Sequence, residues 1–307
     1  MIISASRRTD IPAYYGEWFM NRIKAGFVLV QNPRNPRQIS QISLSPAVVD
    51  GIVFWTKNPM KIMKHLPELA GYMYYFQFTL TPYGQDLEPN LPSKTEELLQ
   101  IFKRLSAMIG ANRVIWRYDP ILINDKYTVD YHLYAFEKMA KALKGMTKKV
   151  IISFIDTQYR NVKSNVDALG LKDFNSEQQV ALARKLVAIA GCYDLVVESC
   201  SGKIDLQQLG IKPSRCIDGE LFEELLGCKL KAIKDKNQRA ECGCMQSIDI
   251  GVYNTCLHGC KYCYANYNQS IVARNCALHD PLSPLLIGKP SGEAKVTERA
   301  VVSLKEN

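Results

Sequence analysis

Short apolar runs rich in β-branched and aromatic residues recur along the chain, at 2–4, 51–55, 74–80, 114–116, 150–155, 195–197, 215–217 and 248–252. Between them lie segments whose apolar residues return every three to four positions, at 14–25, 60–69, 93–109, 129–143, 176–190, 219–226 and, more weakly, 206–209. Strands that alternate with helices form βαβ units and a parallel sheet. Eight such strands predict an α/β fold, a (β/α) TIM-like barrel, complete or partly open, as one domain over 1–281. Two further runs, 27–30 and 39–44, flank the proline-rich stretch 32–38 and read as a hairpin inside the first unit. Residues 282–307 have no such period and are expected to be a loose C-terminal tail.

Active sites of such barrels are built where the strands end. Past those ends the sequence reads Ser6-Arg-Arg-Thr-Asp10, Thr56-Lys-Asn-Pro59, Thr79-Leu-Thr-Pro-Tyr83, Arg117-Tyr-Asp-Pro120, Asp156-Thr-Gln-Tyr-Arg160, Glu198-Ser-Cys-Ser201, Cys216-Ile-Asp218 and Thr255-Cys256. Eight polar ends in succession predict a shared rim carrying a site. Closure would set the last strand beside the first, so the loop at 253–268 would face 6–10.

No apolar run approaches the roughly 18 residues of a membrane span, and no apolar stretch follows the N-terminal arginines. Neither a secretory nor a twin-arginine signal fits, and a cytoplasmic protein with no membrane partner is expected. Disulfides are rare in that compartment, so ten cysteines point to metal binding or chemistry. Cys256, Cys260 and Cys263 fall at spacing Cx3Cx2C directly after the last predicted strand. Three thiolates on one loop can hold three irons of a 4Fe–4S cluster and leave the fourth open to a small molecule. Zinc would need a second pair, Cys242-Gly-Cys244 or Cys256 with His258. A plain redox cluster and small buried cysteines are further readings.

The segment Cys256-x3-Cys260-x-Tyr262-Cys263 resembles the signature of the radical S-adenosylmethionine (SAM) superfamily, with its aromatic before the last cysteine. The stretch Cys260-Lys-Tyr-Cys-Tyr264 is similar to that of spore photoproduct lyase and its relatives. Val53-Phe-Trp-Thr-Lys57 resembles a strand end of that enzyme at which a lysine meets the SAM carboxylate. Phe76-Gln-Phe-Thr79 resembles the next strand, whose hydroxyl residue lines the same site. From IISASRRTDIP through VFWTKNP and WRYDPI to DIGVYNTCLHGCKYCYAN, the chain resembles a domain-of-unknown-function family with a C-terminal cysteine cluster of radical SAM type. The resemblance implies a 4Fe–4S cluster on Cys256, Cys260 and Cys263, SAM as second cofactor, and an electron donor such as flavodoxin or ferredoxin. It names no substrate. Radical SAM enzymes usually carry their cysteine loop after the first strand; here it follows the last, which implies a circularly permuted barrel.

Other residues extend the candidate site. Lys57 starts a turn into a helix, where a carboxylate is well received. Arg117 and Asp119 could orient a ribose or substrate, or pair with each other. Ser6 and its neighbouring arginines face the cysteine loop, and Tyr262 lies inside it. His65 and His132 sit in helical segments and are read as structural; His258 has no required role. Cys200, Cys216, Cys242 and Cys244 could close an auxiliary 4Fe–4S cluster, although the Cys242 pair precedes its strand and would begin at the opposite rim. The net charge of +9 mildly favours anionic partners, but no block of five like charges and no nucleic-acid motif is present. Nucleic acid therefore enters only by analogy with a DNA repair enzyme. Three function classes follow: a radical SAM enzyme, an iron–sulfur electron-transfer or sensing protein, and a zinc-stabilised nucleic-acid-binding module.

Overall fold

In chain order the strands of the computed structural model are β1 (Ile2–Ala5), β2 (Phe27–Asn32), β3 (Asn35–Ser43), β4 (Gly51–Thr56), β5 (Tyr74–Thr79), β6 (Val114–Ile121), β7 (Lys149–Phe154), β8 (Val196–Ser199), β9 (Lys212–Pro213), β10 (Ser247–Asp249) and β11 (Lys295–Glu298). The structure describes every residue except 160, 161, 164, 201–203, 232, 240, 241 and 307. Eight strands form one sheet in the order β10-β1-β4-β5-β6-β7-β8-β9, with every neighbouring pair parallel. The last of these strands thus lies beside the first, with Ile3 level with Ile248 and Ser4 with Asp249. β9 and β10 are the ends of the ladder, so an α/β parallel sheet is present and no rung closes it among the described residues.

The helices are α1 (Ile11–Tyr14), α2 (Gly16–Ala25), α3 (Met60–Met63), α4 (Leu99–Ile109), α5 (Val129–Leu143), α6 (Val166–Leu169), α7 (Ser176–Gly191), α8 (Gly219–Leu226) and α9 (Gln269–Ala277). Their ends follow local chemistry. Thr128 caps α5 by accepting from the Tyr131 amide, and Asn175 and Gln178 form a reciprocal capping box on α7. α2 stops at Gly26, whose φ of 75° is left-handed. The expected helix at 60–69 breaks in two because Pro67 has no amide proton to continue it; Leu66–Leu69 is a separate 3-10 turn.

Both faces of the sheet are covered, so its strands read as continuous apolar runs. Ile3, Phe54, Phe76, Trp116 and Ile152 pack against the outer helices through Trp18, Phe19, Phe102, Phe136 and Leu186. The opposite face, Ile2, Val53, Tyr75, Ile115 and Ile151, packs against Ile217, Leu221, Phe222 and Met245. α8 lies close on that inner face: a Cβ at Gly51 would fall 2.1 Å from the Phe222 ring.

Two expectations are corrected. The strand expected at 215–217 is displaced to β9, two residues long. The polar backbone of 215–217 bonds elsewhere: the Cys216 carbonyl accepts from Tyr75 Oη and Gln77 Nε2, and the Ile217 carbonyl from the Met245 amide. The expected loose tail is packed. β11 extends the β2–β3 hairpin by pairing with β3, and the Leu304 amide and Ser303 hydroxyl bond to Asp50. Asp50 also holds the N-terminal ammonium in a salt bridge. No helix among the described residues is long and apolar enough to cross a membrane.

Candidate functional site

The strand ends β10, β1, β4 and β5 are neighbours in the sheet, and their loops meet. Only glycine fits at 251, where a Cβ would lie 2.1 Å from Ser6 Oγ. Ser6 Oγ donates to Asp249 Oδ1 at 2.7 Å and accepts from the Arg8 amide at 2.9 Å. Ser6 therefore holds the β1 loop to the β10 exit.

Asp10 is the central tie. Its Oδ1 caps α1 by accepting from the Ala13 amide, and its Oδ2 accepts from the Lys57 amide and from His258 Nε2, both at 2.7 Å. With Nε2 donating, His258 Nδ1 accepts from Tyr14 Oη at 2.9 Å, so the partners set the tautomer. His258 thus fastens the cysteine loop to the β1 and β4 loops, a role the sequence did not disclose.

Lys57 reaches the same loop from β4. Its Nζ donates to Tyr262 Oη at 2.9 Å and to Glu88 Oε1 at 2.7 Å. Glu88 is fully buried and also binds Lys94 and Tyr262, and accepts from Thr81 Oγ1 at 2.9 Å. Burial alone would raise the Glu88 carboxyl, but the charges of Lys57 and Lys94 outweigh it and hold it down at about 2. Thr79 ends β5, level with Arg117. Thr81, two residues on, supplies the bond to Glu88. Neither Glu88 nor Lys94 carries a sequence signal: Glu88 is one charge in a loop, and Lys94 opens a helical segment as any surface lysine could.

The loop of Cys256, Cys260 and Cys263 is well anchored. Lys261 N donates to the Leu87 carbonyl at 3.0 Å, Asn90 Nδ2 to the Leu257 carbonyl at 2.7 Å, and Asn266 Nδ2 to the Cys256 carbonyl at 2.7 Å. Gly259 turns the loop at φ 70°. The three thiols are half-buried and free. Burial pushes all three up, Cys260 to about 12 despite Lys57. Besides burial, Asp10 and the titrations of Cys260 and Cys263 push Cys256 up, so the three sulfurs share one electrostatic neighbourhood. Among the described residues, no three His, Cys, Asp or Glu side chains are preformed around a single metal ion.

Arg117 lies on the inner face. It pairs with Asp119, stacks on Trp55 at 5.3 Å, and donates from Nη1 to Cys216 Sγ at 3.0 Å. Of the two roles open to it in the sequence, the pair with Asp119 is present. Cys200, Cys216, Cys242 and Cys244 converge on this face, described below. His132 is buried between Tyr118 and the Leu122 carbonyl, as a structural residue.

A family model described as a domain of unknown function (DUF1848) matches residues 2–265, and the chain belongs to that family. The match spans all eight strands of the sheet and ends just past Cys263. No curated protein matches the chain.

Proposed function

We propose that the protein is a radical SAM enzyme, with Cys256, Cys260 and Cys263 holding a 4Fe–4S cluster and SAM bound beside it. The donor set suits that group: three free thiols on one anchored loop leave one of four irons without a protein ligand. When bound, the pair supplies one-electron reductive cleavage of the SAM sulfonium and a 5′-deoxyadenosyl radical, with flavodoxin or ferredoxin as the class of electron donor. In this reading the sheet is a TIM-like barrel permuted so that its cluster loop follows the last strand.

The observation that carries the reading is the contact of Lys57 Nζ with Tyr262 Oη at 2.9 Å. It sets a cation at the end of β4 against the aromatic residue between the last two cysteines. The same Nζ is held by Glu88, so the ammonium is oriented before a ligand arrives. A carboxylate there gains a charge-assisted hydrogen bond. Asp10 and His258 fix the loop against the Lys57 backbone, which keeps thiols and ammonium in one frame.

The test is anaerobic reconstitution with ferrous iron and sulfide, followed by dithionite and SAM. 5′-Deoxyadenosine should form, and SAM should alter the EPR signal of the reduced cluster. Lys57→Ala should weaken SAM binding about ten- to a hundred-fold while the cluster still assembles, as expected for loss of a charged hydrogen bond of roughly 1.5–3 kcal/mol. A cluster blind to SAM, with no 5′-deoxyadenosine formed, would leave an electron-transfer or sensing protein instead.

A further inference from the structure

Four cysteines outside the 256–263 loop come together on the inner face of the sheet. Cys200 follows β8, Cys216 lies between β9 and α8, and Cys242 and Cys244 precede β10. The sequence would start the last pair at the opposite rim. Instead, the Asp235 amide bonds to the Cys244 carbonyl and the Met245 amide to the Ile217 carbonyl, which folds that segment over the face.

The sulfurs share one buried cluster. Cys200 Sγ and Cys216 Sγ are 3.4 Å apart, and Cys216, Cys242 and Cys244 are buried in one cluster with Cys200 packed against it. The Ile217 amide donates to Cys244 Sγ at 3.4 Å.

Two guanidinium groups lie beside this cluster. Arg117 Nη1 donates to Cys216 Sγ, and the Arg117 side chain is more than nine-tenths buried. Arg7 lies over the Trp55 ring at 5.3 Å, and its Nη1 is 3.9 Å from Asp235, whose amide bonds to the Cys244 carbonyl. Trp55 packs against the same cluster of residues as the four cysteines. Arg7 Nη2 and Trp55 Nε1 are both buried, and neither has a hydrogen-bond partner among the described residues. A buried donor without an acceptor costs about 1–3 kcal/mol, so a pair of them marks a place where an acceptor-rich group belongs.

We propose that Cys200, Cys216, Cys242 and Cys244 are the four ligands of a second 4Fe–4S cluster, seated against Arg7, Trp55 and Arg117. Each thiol loses its proton as its sulfur bonds to iron, and the sulfides of the cube are acceptors for the two unpartnered N–H groups. A fully thiolate-ligated cube is anionic, which answers the two guanidinium charges. A single zinc ion has no sulfides to offer, and among the described residues no three of these sulfurs are preformed around one point. The Cys200–Cys216 contact opens as the inorganic core enters. All four irons are ligated, so this centre is closed to SAM. The inference uses different residues from the proposed SAM site and stands without it.

The experiment is iron, sulfide and zinc analysis with EPR after anaerobic reconstitution with ferrous iron and sulfide. In the Cys256→Ala/Cys260→Ala/Cys263→Ala chain, about four irons and four sulfides should remain, with an EPR signal indifferent to SAM. In the otherwise intact chain, Cys216→Ala should remove about four irons. The content falls from about eight to four if the SAM-site cluster also forms, and from about four to none if it does not. Arg117→Met should leave the cluster assembled and lower its midpoint potential, because a cationic donor to the cysteine sulfur is lost. The proposal is overturned if Cys216→Ala leaves the iron content unchanged, or if zinc without sulfide occupies the four thiols.

Discussion

Replacing Glu88 by Gln removes one negative charge from a buried site that holds two ammonium groups. The side chain keeps its shape and one acceptor oxygen, so the change removes the charge and one of the two acceptors that the lysines share. The drop of the carboxyl from its ordinary 4.5 to about 2 means that folding favours the ionised form over the neutral one by about 3 kcal/mol more than the unfolded chain does. Removing one partner of a buried ion pair costs on the order of 3–5 kcal/mol, which agrees. The loss should therefore be about 3 kcal/mol. With an m-value near 3 kcal/mol per molar urea, expected for a chain at the large end of the usual range, the unfolding midpoint should fall by about 1 M at unchanged m. Two controls fix the cause. Glu88→Gln combined with Lys94→Met should recover part of the loss, because the surplus ammonium is removed. The advantage of wild type over Glu88→Gln should be full above pH 4.5 and should vanish as pH falls towards 2, since a depressed carboxyl contributes stability only while the unfolded chain would be ionised. A midpoint shift under about 0.3 M, or a double variant worse than the sum of the singles, would refute the charge argument.

A second acid-sensitive element is His132, which burial lowers from 6.5 to about 4. It is neutral in the fold, so the unfolded chain binds the extra proton, and stability should fall by up to about 3 kcal/mol as pH drops from 6.5 to 4; thermal unfolding of wild type against His132→Phe across that window checks it, with a flat profile expected for the variant. Gly51→Ala should destabilise the fold by roughly 1–3 kcal/mol through overpacking against Phe222, and Phe222→Leu should relieve part of it, as read by urea unfolding of the three chains.

The sheet was legible because its strands are apolar on both faces and its helices keep a clean period. The helix at 129–143 lies where its apolar spacing put it, capped by Thr128. What was missed lacks a local signal. β9 is only Lys212–Pro213, and the apolar residues that suggested a strand at 215–217 instead cover the inner face. The tail was misread because β11 is exposed along its length and is held by pairing with β3, a contact some 250 residues away in sequence. At the candidate site, Lys57, Tyr262 and the three cysteines were readable from motif resemblance. Glu88, Lys94, Asp10 and His258 were not singled out for their roles, because a buried charge network is defined by proximity and each member alone looks like an ordinary polar residue.

The position of the cysteine loop at the far end of the chain follows from sheet order rather than from sequence order. β10 pairs with β1, so the loop after the last strand and the loop after the first are spatial neighbours. Asp249 makes that neighbourhood specific: it accepts from Ser4, Ser6, the Arg7 amide and the Gly251 amide, binding β10 to the β1 exit. Asp10 then carries the connection to β4 through the Lys57 amide and to the cysteine loop through His258. Glu88 carries it on to the segment after β5. Each tie joins segments that sheet order has already placed side by side, so each closes a short spatial gap at little entropic cost beyond the sheet itself. A rim assembled in this way needs adjacent strand ends, and it is indifferent to where along the chain those strands begin.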